Sequence, residues 1–93
     1  MERQLLISYD LKKPGKDYSN LITTIRLIGK TSTIHLLESV WLITTTSSIR
    51  DVMTRLRIVT DSNDSIVIVE VSDIGWHNLE PLMQLRLQTR FHR

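Results

Sequence analysis

The order in which hydrophobic periods change along the chain constrains this sequence more than any single motif. "RQLLISYD", "SVWLITTT" and "SIVIVEV" are short apolar runs, rich in β-branched and aromatic residues and bounded by turn formers, which is how strands read. "TIHLLE" is a fourth, separated from "SVWLITTT" by almost nothing, so the two are expected to form an antiparallel hairpin turning near Glu38 and Ser39. Between the first strand and this hairpin the period changes to that of a helix. Tyr18, Leu21, Ile22, Ile25 and Ile28 form one stripe, with Asp17 placed to cap it and Gly29 to stop it. A second stripe, Ile49, Val52, Met53, Leu56 and Val59, follows a Ser48–Asp51 capping-box pattern. The tail "NLEPLMQLRLQTRFHR" suits a third, short helix with Pro81 in its first turn.

The order β-α-β-β-α-β with a C-terminal addition predicts an α+β, ferredoxin-like fold, a four-stranded antiparallel sheet with two helices on one face. Ninety-three residues suffice for one such domain, with a core over 3–71 and an extension over 72–93. Alternation along the strands sets Leu5, Ile7 and Tyr9 against Leu6, Ser8 and Asp10, and Ile66, Ile68 and Glu70 against Val67, Val69 and Val71, so both faces carry apolar residues. A sheet with one solvated face would alternate apolar with polar. The open face is therefore expected to be covered by the C-terminal segment, by a second copy in a homodimer, or by both.

Composition narrows the function classes. Hydrophobic residues make up 41% of the chain and charged residues 24%, which places it among folding sequences rather than disordered ones. The chain has no cysteine, so disulfides and thiolate metal sites are excluded. "MERQLLISYD" lacks a signal-peptide pattern and no apolar run approaches the roughly 20 residues that span a bilayer, so a cytoplasmic protein without a membrane partner is expected. A net charge of +2 is compatible with nucleic acid without forming the dense basic stripe of a dedicated binder.

Several chemistries fail on spacing. Counted from Asp61, a calcium loop would need Gly at its sixth position and Glu at its twelfth, where Ile66 and Ser72 stand. Asp61 and Asn63 read instead as turn residues. His35, His77 and His92 have no ligand spacing, and His35 reads as a hydrogen-bonded histidine at the sheet surface. Ser8, Ser39 and Ser48 lack a nucleophile elbow, and three distant glycines make no phosphate loop. Trp41 and Trp76 could stack on bases, though Trp41 lies in an apolar strand and reads as core or interface. What remains is "YDLKKPGKDY", where Asp10 ends the first strand and Lys12, Lys13 and Lys16 follow, with Arg26 on the next helix. Cations at a strand end suit phosphate contacts that carry no base specificity.

"YDL-x-x-PG" and "SNDS", together with "IHLLESVWLITT" and the Trp of "IGWHNL", resemble a set of small bacterial proteins labelled SinR-like. That set is similar in layout to the CRISPR-associated endoribonuclease subunit of the spacer-acquisition machinery, which shares a strand-ending "YD" and a third strand opening on Ser, Val and an aromatic. The resemblance implies a ferredoxin-like homodimer in which the aspartate ending strand one, here Asp10, meets its twofold mate across a divalent metal such as Mg²⁺. Asp10 is then both metal ligand and catalytic residue for cleaving RNA or DNA, since a hard cation neutralises paired carboxylates and activates water. The alternative is a non-catalytic dimerisation or adaptor module in which the same stretch is only a turn.

Overall fold

A computed structural model describes residues 1–12 and 18–92. Its elements run β1 (Arg3–Asp10), α1 (Ser19–Gly29), a 3-10 turn (Lys30–Ser32), β2 (Ile34–Leu37), β3 (Val40–Thr45), α2 (Ile49–Ile58), β4 (Ser65–Glu70) and α3 (Pro81–Phe91). The four strands form one antiparallel sheet in the order β2-β3-β1-β4. This is the α+β, ferredoxin-like arrangement expected from the order of periods. Among the described residues no helix is long and apolar enough to cross a membrane.

One face of the sheet receives α1 and α2, because their stripes meet the odd-numbered residues of β1. Leu5, Ile7, Leu21, Ile25, Trp41, Ile43, Val52, Leu56 and Ile68 form the buried cluster there. Helix α2 begins where Ser48 Oγ accepts from the N–H of Asp51 at 3.1 Å, the expected cap. Asp17, expected to cap α1, lies outside the described residues; Tyr18 occupies the cap position and its side chain makes no capping bond to the helix.

Gly29 ends α1, but not by adopting a left-handed conformation. Its φ is −80°, and the positive φ of 54° falls on Lys30. Glycine is needed for close approach: a Cβ there would stand 2.2 Å from Thr33 Oγ1 and 2.5 Å from Ile43 Cγ2. The hairpin turns at Glu38 and Ser39 as expected, with Leu37 opposite Val40 and an irregularity between His35 and Leu37.

On the second face, Leu42, Ile34 and Leu36 are buried under Leu87 of α3, with Leu6, Val71, Trp76 and Met83 around them. The chain's own C-terminal segment thus covers part of this face. The cover stops short of β4, where Val67 and Val69 remain 59% and 44% exposed. The open face is stepped, helix-covered at β2 and β3 and bare at β4.

Candidate functional site

Strand β1 leaves the sheet at Asp10, whose register partner is Ser65 at the start of β4. Alternation from Leu6 places Asp10 on the open face, beside the bare strip of β4. Its carboxylate forms an ion pair with the ammonium of Lys12 and keeps 68% of its side-chain surface in solvent. Two residues on, the backbone is held. Lys12 donates its N–H to Asp64 Oδ1 at 2.8 Å, and Tyr18 donates its hydroxyl to the same oxygen at 3.2 Å. The other oxygen, Oδ2, accepts the N–H of Asp61 at 2.8 Å, and the turn closes as Asp64 donates to the carbonyl of Asp61 at 3.1 Å.

Asp64 is therefore the organiser of the corner, joining the end of β1, the approach to α1 and the α2–β4 turn. Reading the sequence singled out Asp61 and Asn63 and missed it; the only signal was a third acidic or amide residue in "DSND" just before a strand. An open cleft of about 650 Å³ adjoins it, lined in part by Arg57, Thr60, Asp61, Asp64 and Ile66.

Of the expected basic group the structure places Lys12 and Arg26, and it places them apart. Lys12 stands at the corner, whereas Lys13 and Lys16 lie outside the described residues. Arg26 is on the helical face instead, its guanidinium 5.0 Å from the centroid of Trp41. The Trp41 ring is buried, donates its Nε1–H to Tyr9 Oη at 3.0 Å and stacks on His35 at 3.8 Å and 5°. Trp41 is thus core, and Arg26 is held by that ring on the opposite layer from Asp10. His35 donates its Nε2–H to the Glu38 carbonyl at 3.0 Å, the surface role expected of it. A second pair of cations escaped notice on α3. Arg86 donates to the Thr31 carbonyl at 3.0 Å, and burial together with Arg86 pushes the guanidinium of Arg90 down from its usual range.

Among the described residues of one chain, a divalent metal fits poorly. A hard cation such as Mg²⁺ needs several oxygen donors, while Asp10 offers one carboxylate already engaged by an ammonium. Among the described residues no three His, Cys, Asp or Glu side chains gather to hold an ion. No family model matches the chain, and no curated protein matches it.

Proposed function

We propose that this protein is a cytoplasmic homodimer that binds the sugar-phosphate backbone of RNA or DNA through the corner at the end of β1, without reading base sequence. The observation that supports this is the pairing of an exposed charged tip with a fixed base. Asp64 locks the backbone at Lys12, while the Lys12 ammonium and its Asp10 partner stay in solvent. Lys13 and Lys16 continue the same cationic stretch in the sequence. A cation on a fixed backbone, as Lys12 is, loses little freedom on meeting phosphate and releases counterions from it. Within this reading Asp10 restrains Lys12 and tunes its attraction for anions. The bare side of the open face at β4 supports the dimer, since an exposed apolar strip in a small protein marks a contact surface.

A second reading is favoured by the 68% exposure of Asp10 on the face a partner would meet. Two copies that brought their Asp10 carboxylates together would make a Mg²⁺ site that the described residues of one chain do not form, and the protein would be an endonuclease. Asp10→Asn separates the two. If the protein only binds, the parent cuts neither RNA nor DNA with Mg²⁺, Mn²⁺ or EDTA, and the variant binds about two- to tenfold tighter because Lys12 is released and a phosphate-repelling charge is gone. If it is a nuclease, the parent cuts with metal and the variant loses on the order of 10²-fold or more.

A further inference from the structure

The two edges of the sheet differ in how they meet solvent. Edge strand β2 is blunted in the ways that prevent strand addition: it has four residues and a register irregularity between His35 and Leu37. Edge strand β4 has neither protection. It runs six residues as "SIVIVE", with no Lys, Arg or Pro, and among the described residues no strand lies beyond it. Its one charge, Glu70, is answered within the chain by Arg3 Nη1 at 3.2 Å.

The direction of the free backbone groups is fixed by one bond. Val71 donates its N–H to the Gln4 carbonyl at 2.8 Å, so by alternation Val69 and Val67 exchange bonds with their register partners Leu6 and Ser8. Tyr9 agrees, since it donates in the opposite direction, to the Ser39 carbonyl of the hairpin, at 3.2 Å. Ile66, Ile68 and Glu70 therefore turn their N–H and C=O groups outward.

We infer that a second copy of this chain pairs with β4 edge to edge, antiparallel about a twofold axis at Ile68, extending the sheet to eight strands. The inference rests on the homodimer proposed above and names its contact. Three outward residues spaced by two are self-complementary in this register: Ile68 meets its own mate, and Ile66 and Glu70 meet each other twice, giving three hydrogen-bonded pairs. Charge selects the register. Moving the axis to Val67 sets Asp64 against Glu70 across the interface; moving it to Val69 makes the two Glu70 residues diagonal neighbours. Centring on Ile68 avoids both. On the open face it sets Val67 beside Val69 in two close, non-hydrogen-bonded pairs, burying the two exposed valines of the bare strip. Strand spacing then puts the two Asp10 residues about 25 Å apart on one side of the joined sheet, so each corner acts alone.

The chain has no cysteine, which allows a direct test. Val67→Cys and Val69→Cys are made as separate full-length proteins, mixed at tens of micromolar and oxidised with glutathione disulfide. Cα atoms of a non-hydrogen-bonded pair lie about 4.5 Å apart, within disulfide reach. The mixture is expected to give a disulfide-linked species of twice the 10.8 kDa chain mass, with each variant alone giving at least tenfold less. Val69→Lys in the cysteine-free chain is expected to shift sedimentation to the monomer, because a lysine on the edge is buried by pairing. Efficient linking of Val67→Cys with itself overturns the register. A parent protein that sediments as a dimer without linking in the mixture overturns the edge contact but leaves a homodimer standing, and a strictly monomeric parent overturns both.

Discussion

The backbone N–H of Lys12 donates to Asp64 Oδ1 at 2.8 Å across 52 residues of chain. A segment that looks self-contained in the sequence is thus tied to the turn that leads into β4. The carboxylate serves Lys12, Tyr18 and Asp61 at once, so each partner fixes a different segment around one pair of oxygens.

Asp64→Ala is expected to destabilise the protein by about 1–3 kcal/mol, since it strands partly buried donors that the carboxylate satisfies. Asp64→Asn keeps one acceptor oxygen and should lose less. Urea denaturation followed by circular dichroism reads the midpoint of each; an unchanged midpoint for the alanine variant would remove Asp64 as organiser of the corner.

Gly29→Ala separates close approach from helix propensity. Alanine favours a helix by about 0.5–1 kcal/mol over glycine, and the φ of −80° permits it. Against this stands a Cβ at 2.2 Å from Thr33 Oγ1 and 2.5 Å from Ile43 Cγ2, an overpacking that costs about 1–3 kcal/mol. The expected net result is a lower thermal midpoint. A raised one would mean that β3 yields easily at Ile43.

How much of this could be read beforehand depended on how local each cause is. The stripes of α1 and α2, the hairpin at Glu38 and Ser39 and the Ser48 cap depend on neighbours within a turn or two, and they stand where periodicity put them. Asp64 was missed because two of its partners are 46 and 52 residues away. Arg26 looked like a phosphate ligand because its helix follows the lysines, yet its position on α1 carries it to the Trp41 ring on the other layer. The surplus of apolar residues on the open face, and the C-terminal segment as a cover for it, were legible, but where that cover stops was not. That depends on where Leu87 finds a socket among Ile34, Leu36 and Leu42.

Whether the β1 corner meets phosphate is tested most directly by a salt titration of binding to single- and double-stranded RNA and DNA. For the parent protein the logarithm of the binding constant should fall linearly with the logarithm of salt concentration, at similar slopes for unrelated sequences. Replacing Lys12, Lys13 and Lys16 together by alanine should weaken binding to all of them alike and reduce that slope by up to about three units, roughly one for each phosphate that is no longer neutralised. A parent protein with no salt-dependent binding, or a triple variant with the parent's affinity and slope, would contradict the proposed function.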